Sequence, residues 1–229
     1  MPEAMLHRAA LLGISGMAFA ISTGAEARSD SQIWTTASAS FKLSDTWRLS
    51  EELVTRFSDN RNGLYEIEAV TMVNYKPAKD VTLAAGYVHN PQYLGGDFTV
   101  MERRAREQVT FDNVAKLGRG KLSARLRLEQ RWREHIDGTG WRLRPYVKYA
   151  LPLTGKAAVN FSSEPFFNLS STSFQRQKGL DRVRNLVSIS GPLSGKVNAE
   201  AGYMNQHGFV RGGPDTSDNI AYFGLSANF

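Results

Sequence analysis

No cysteine occurs in the 229 residues, so disulfides, thiolate metal sites and a cysteine nucleophile are all excluded. Long apolar runs are missing as well. After position 22 no stretch of about 18 apolar residues remains, which excludes a transmembrane helix from the body of the chain. Neither sign of charge dominates, with 28 Lys+Arg against 22 Asp+Glu. That balance and an apolar share of 41% exclude intrinsic disorder. A pI near 9.6 permits a nucleic-acid partner. The basic residues alternate with apolar ones, however, and no cluster interleaves arginine with aromatics as a nucleic-acid face would. What is left is a folded, thiol-free, mildly basic chain.

The first 27 residues read as an address. His7-Arg8 form a weakly basic start, Ala9 to Ser22 an apolar stretch, and Ala25-Glu26-Ala27 a small-x-small cleavage pattern. The sequence predicts a cleaved signal peptide over 1–27 and one mature domain over 28–229.

Beyond Gln32 the apolar period is two. Between Leu122 and Arg133, Leu122, Ala124, Leu126, Leu128 and Trp132 alternate with Ser123, Arg125, Arg127, Glu129, Arg131 and Arg133. A helix would scatter those arginines around its circumference, whereas an extended chain separates the two sets. Eleven such segments follow one another, at about 31–43, 46–58, 64–75, 81–90, 103–114, 121–134, 141–151, 157–168, 180–190, 196–206 and 218–229. Tight turns such as Leu117-Gly118-Arg119-Gly120 alternate with longer polar connections at 58–63, 91–102, 135–140, 170–178 and 207–216. This pattern predicts an all-β fold, an antiparallel up-and-down transmembrane β-barrel of ten to twelve strands.

Aromatics in the outward phase support that reading. Phe41, Trp47, Tyr75, Tyr149 and Phe229 fall at the short-turn end, and Phe57, Tyr65, Tyr87, Trp132, Trp141, Phe167 and Tyr203 near the long-loop end. The last segment, with Ala221, Phe223, Leu225, Ala227 and Phe229 in one phase, resembles the signal read by the barrel-assembly machinery. An odd strand count conflicts with the even counts of single-chain bacterial barrels. It leaves two expectations: ten strands, if 31–43 is not a wall strand, or twelve, if one segment is really two.

The chain also resembles a known family. The Trp34 segment, Glu52 to Asn60, Arg127 to Arg131, Pro145-Tyr146-Val147, Ser163 to Asn168 and Ala201 to Gln206 are similar to the family catalogued as domain of unknown function 2490. The resemblance implies a barrel in the outer membrane of Gram-negative bacteria. It lends no reaction, ligand or catalytic residue.

Chemistry has few carriers. His89, His135 and His207 fall near the long-loop end without a short His-x-Ser pair, so no catalytic residue is assigned and no enzyme is expected. Asp215, Asp218 and Asn219, and the loop Asp59 to Gly63, lack a full calcium register, so no metal or other cofactor is expected either.

The inward phase is the informative set. It carries Arg48, Arg56, Arg106, Arg125, Arg127, Arg131, Arg133, Arg142, Arg144, Lys148, Arg182 and Arg184, against Glu52, Glu66, Glu68, Asp112, Glu129, Glu164 and Glu200. Facing hydrocarbon, each Arg or Lys would cost about 2–4 kcal/mol near the midplane, so the lumen is their place. Two readings stay open. In one, Arg–carboxylate pairs plug a structural or adhesive barrel. In the other, the excess of positive charge lines a narrow, porin-like, anion-preferring pore, with Arg131, Arg133, Arg142 and Arg144 converging near its mouth. A lipid-modifying rim enzyme is a third, weaker reading. The expected partners are outer-membrane lipid and lipopolysaccharide, with the assembly machinery meeting the strand that ends in Phe229. The expected location is the bacterial outer membrane.

Overall fold

The computed structural model describes residues 28–229; the predicted signal peptide lies outside the described residues. The described residues form eleven strands: β1 (Arg28–Lys42), β2 (Trp47–Ser58), β3 (Gly63–Ala78), β4 (Val81–Leu94), β5 (Asp97–Leu117), β6 (Gly120–Arg133), β7 (Ile136–Pro152), β8 (Ala158–Asn168), β9 (Gly179–Ser194), β10 (Val197–Gly208) and β11 (Thr216–Asn228). A single 3-10 turn at Asp59–Arg61 joins β2 to β3. No helix among the described residues is long and apolar enough to cross a membrane.

Each strand pairs antiparallel with its sequence neighbour, and β1 closes on β11 in parallel, from Arg28 opposite Thr216 to Ser40 opposite Asn228. The count is therefore eleven. Neither expected correction of the parity applies, because 31–43 is a full wall strand and no segment divides. Hairpins reverse the chain ten times between β1 and β11, so the two run in the same direction and their ladder must be parallel. Closure leaves no unpaired edge. The short-turn end of this seam is pinned: Phe229 N–H donates to Ser40 O at 2.8 Å, and Lys42 N–H to Phe229 O at 2.9 Å. Arg48 adds bonds from Nη2 to both carbonyls, each 3.1 Å, and from Nε to Ser40 Oγ at 2.8 Å.

Two stretches expected as long loops are strand. β4 runs to Leu94 and β5 starts at Asp97, with the reversal confined to Gly95 and Gly96 at φ of 61° and 91°. Both angles lie in the left-handed region that glycine reaches without a Cβ penalty, which permits a two-residue hairpin. Likewise β7 begins at Ile136, one residue after His135. Extended loops remain at 169–178 and 209–215.

Exposure follows the two-residue period. Ile33, Leu53, Leu83, Phe161, Ile189 and Phe223 stand on the outer wall, while Val54, Val70, Val88, Met204 and Ile220 are buried inside. At the short-turn end Phe41 stacks on Phe229 at 5.4 Å, and Trp47 meets Tyr75 at 4.7 Å with the rings tilted by 31°. Exposed Phe57, Tyr87, Trp132, Trp141 and Tyr203 occupy the other end. Two carboxylates, Glu51 and Glu107, interrupt the apolar outer face, and Thr71 Oγ1 donates to Glu51 at 2.7 Å. Tyr65 departs from its expected outward position. Arg56 pairs with Glu66 and Phe57 with Leu64, so Tyr65 is the extra residue of a β-bulge. The bulge re-aims the ring, and its hydroxyl donates to the inward Gln32 at 2.8 Å.

Gly202 marks a close approach. A Cβ there would lie 2.3 Å from Val187 O and 2.6 Å from Ser188 Cβ. Gly202→Ala therefore forces β9 and β10 apart and is expected to destabilise the barrel by about 1–3 kcal/mol, the usual cost of overpacking. Denaturant unfolding of the refolded protein reads this directly, and an unchanged midpoint would refute it.

Candidate functional site

The interior is a network of arginines and glutamates supplied by seven of the eight strands from β2 to β9. Even-numbered residues of β3, β5, β7 and β8 and odd-numbered residues of β6 point inward, which stacks Glu66 and Glu68, Glu102, Arg104 and Arg106, Glu129 and Arg131, Arg142 and Arg144, and Glu164 around one axis. β2 contributes Arg56, and β9 contributes Arg182 and Arg184.

Glu129 is the centre. Fully enclosed, it accepts from Arg106 Nε at 3.1 Å, from Arg142 Nε and Nη2 at 2.8 and 2.6 Å, and from Arg144 Nη1 at 2.9 Å. Glu102, also at zero exposure, accepts from Arg104 Nε at 2.6 Å, Arg131 Nε and Nη2 at 2.9 and 3.0 Å, and Arg133 Nη2 at 3.0 Å. Glu68 joins Arg56, Arg104 and Arg106 at 3.0, 2.9 and 3.3 Å. Glu66 bonds Arg56 at 2.5 Å and Arg104 at 3.3 Å. Glu164 accepts from Arg144 Nη2 at 2.8 Å and from Arg125. Burying so many charges is tolerable because every carboxylate faces at least two guanidinium groups, whose planar forks match its oxygens.

Aromatic rings support the arginines. Phe166, 1% exposed, lies 4.3 Å below the Arg144 guanidinium carbon, 4.5 Å from that of Arg184, 5.2 Å from Arg142 and 5.9 Å from Arg182. Trp34 receives Arg56 at 4.2 Å and Arg184 at 4.5 Å, while its Nε1 donates to Gln32. Outside this layer the loop 169–178 folds over the mouth. Phe174 covers Arg131 and Arg133, and buried Gln175 ties Arg131 Nη1 to the Trp141 and Ser170 carbonyls.

The remaining residues of the inward set fall elsewhere. Arg48 seals the seam. Arg127 donates to Gln108 Oε1 at 2.9 Å and meets no carboxylate among the described residues. Arg125 also stacks on Tyr146. Lys148 is half-buried and makes no ion pair among the described residues, and Asp112 is exposed at the short-turn end. Glu200 accepts from Ser188 Oγ at 2.5 Å and Asn160 Nδ2 at 3.4 Å, not from an arginine. Glu102 and Arg104, two of the central groups, are missing from the inward set read from sequence. Reading 91–102 as a loop starts the period too late, although Glu102-x-Arg104-x-Arg106 continues it unbroken.

The network lies between two cavities that share no lining residue. One, about 470 Å³, opens at the long-loop end beside Arg56, Arg104, Arg142, Arg144 and Arg184. The other, about 270 Å³, lies at the short-turn end among Ser40, Ser50, Asn74, Gln108 and Arg127. Val88 and Glu129 at zero exposure, Phe166 at 1% and Arg106 at 2% fill the interior between them.

His89 stands exposed on the outer wall, and His135 sits in the β6–β7 turn at φ 59°. His207 Nε2 lies 3.0 Å from Asp215 Oδ2, and its cross-strand partner is Ser217. Ser217 Oγ instead accepts from Asn205 Nδ2 at 3.0 Å. No group of three or more metal-ligating side chains occurs among the described residues. The Val210 N–H, 2.9 Å away, and His207 hold the Asp215 carboxyl below its ordinary 3.8. A lowered carboxyl favours the folded loop above that value and loses its contribution as pH falls through the lowered one. Amide exchange in 209–215 is therefore expected to rise below pH 3.8 before exchange in the strands does. Simultaneous onset would contradict it.

Fold and site together define a closed eleven-stranded β-barrel with an ion-paired interior. The chain belongs to the family described as Protein of unknown function (DUF2490), whose model matches residues 31–218. It is 29% identical over 194 residues to an uncharacterized protein of Methylorubrum extorquens, covering 81% of this chain and 84% of that one. No solved structure matches the chain.

Proposed function

We propose that the protein is a non-enzymatic outer-membrane β-barrel whose lumen is plugged by its own arginine–glutamate network and whose contacts are made at the long-loop end. The plug carries this reading. Two cavities without a common lining residue, with side chains of 0–2% exposure between them, support a lumen closed to solute. Support for the membrane comes from the closed ladder, the apolar outer wall and the aromatics near both ends, since only closed barrels and helices satisfy their backbone in lipid. β5, at 21 residues, is about twice the span a membrane strand needs, which lets the long-loop end project beyond the bilayer. The non-enzymatic reading rests on the rim. Ser217 is spent on Asn205, and no hydrogen bond joins it to His207.

An epitope placed in the loop 169–178 tests the location. Exposure of the tag on intact cells, with the protein in the outer-membrane fraction and its first residue at Arg28, is the expected result. A tag reached only after lysis, with the protein in the soluble fraction, would overturn the reading. A second reading, a narrow anion path, is favoured by Arg127 and Arg184. They lie one in each cavity, and neither has a carboxylate partner among the described residues. It requires the plug to open, and conductance separates the two.

A further inference from the structure

We infer that the cavity at the long-loop end is a binding site for a small soluble polyanion bearing phosphate-type or clustered carboxylate oxygens, with Arg184 as its principal contact. Ten arginines and five carboxylates line this cavity, and the imbalance is concentrated in groups left incompletely paired. Arg184 has no carboxylate partner among the described residues. Its Nε donates to Gln206 Oε1 at 2.8 Å, and its face rests 4.5 Å from the centroids of both Trp34 and Phe166. Stacking of this kind occupies the guanidinium plane and leaves the edge donors free, the arrangement that presents two parallel N–H groups to an oxyanion. Both Nη atoms of Arg184 lack a hydrogen bond to any described residue.

Two residues lining the same space each carry a further unpaired donor. Arg56 Nε and Arg133 Nε are buried without a hydrogen-bond partner. Buried donors are seldom left unmade, because each costs about 1–3 kcal/mol, and a ligand oxygen is one way to satisfy them. Nearer the mouth, a cavity of about 710 Å³ between the loops 169–178 and 209–215 shares Arg131, Arg133 and Arg182 with this one and adds Arg176, Lys178 and Arg211. Gln177 Nε2 donates to Phe209 O at 2.6 Å, and Arg211 Nη2 to Lys178 O at 3.0 Å, so the two loops form one basic entrance. A cleft in which one sign of charge predominates concentrates its counter-ions. At about 470 Å³ the inner chamber has the size of an ordinary small-molecule site. A free solute fits it better than a lipid headgroup, because the chamber lies inside the strand wall and the lipid would lie outside. The inference concerns the interior alone and holds whether or not the membrane reading does.

Calorimetric titration of the refolded full chain in detergent with inorganic pyrophosphate tests it. Saturable one-site binding is expected, weakened at least about tenfold by Arg184→Gln, which breaks no ion pair, and also weakened by Arg182→Gln at the more exposed mouth. Arg127→Gln, in the other cavity, is expected to bind as the unaltered protein does. No saturable binding, or an affinity unchanged from the unaltered protein in both the Arg184 and Arg182 variants, would overturn the site. Displacement of pyrophosphate by added lipopolysaccharide would overturn the free-solute assignment; its persistence supports it.

Discussion

Glu129→Gln is expected to destabilise the barrel by about 3–5 kcal/mol, the usual cost of removing one partner from a buried charge pair. The substitution preserves volume and retains one acceptor oxygen, so no cavity forms. It removes the charge that Arg106, Arg142 and Arg144 share at the centre of the interior, on a side chain of zero exposure. Arg142 suffers most. Glu129 is its one ion-pair partner among the described residues, reached from Nε at 2.8 Å and Nη2 at 2.6 Å, whereas Arg106 retains Glu68 and Arg144 retains Glu164. Glu200→Gln makes the comparison. Glu200 meets Ser188 and Asn160 and neutralises no bonded arginine, so its loss strands no cation. Guanidinium unfolding of both refolded variants should separate them clearly. Equal, small losses would show that the network is not the source of interior stability.

Phe166→Ala is expected to cost about 3–5 kcal/mol from the lost side chain and its cavity. A further loss arises from the arginines the ring supports, each worth about 0.5–2 kcal/mol. Four guanidinium carbons lie within 5.9 Å of its centroid. Phe166→Leu divides the two contributions, because it keeps most of the apolar volume and discards the quadrupole. The leucine variant should fall between the parent and the alanine variant in denaturant midpoint. Coincidence of Leu with Phe would assign the whole effect to packing.

Much of this architecture is legible in the residues. The period of two in Leu122 to Arg133 places β6 within a residue or two of its ends, and the same alternation locates the other ten strands. The extension of β4 and β5 through Gln92 and Thr99 is harder to read, because polar residues at a strand tip look like loop until two consecutive glycines are taken as a complete turn. Strand parity is legible as a conflict but not as a solution, since a parallel seam leaves no mark in either β1 or β11. Tyr65 follows from a bulge, which inserts one residue and so defeats any phase count that passes it. The interior set is mostly a matter of phase. Which arginine meets which glutamate is not, because inward direction carries no distance, and nothing in the sequence marks Trp34 and Phe166 as the rings on which five arginines rest.

The most direct test of the plugged interior is single-channel recording of the refolded mature protein in a planar bilayer under a salt gradient. Silence from a correctly folded barrel is the expected result. Discrete conductance steps with a reversal potential favouring anions would contradict it and show that the arginines line an open path.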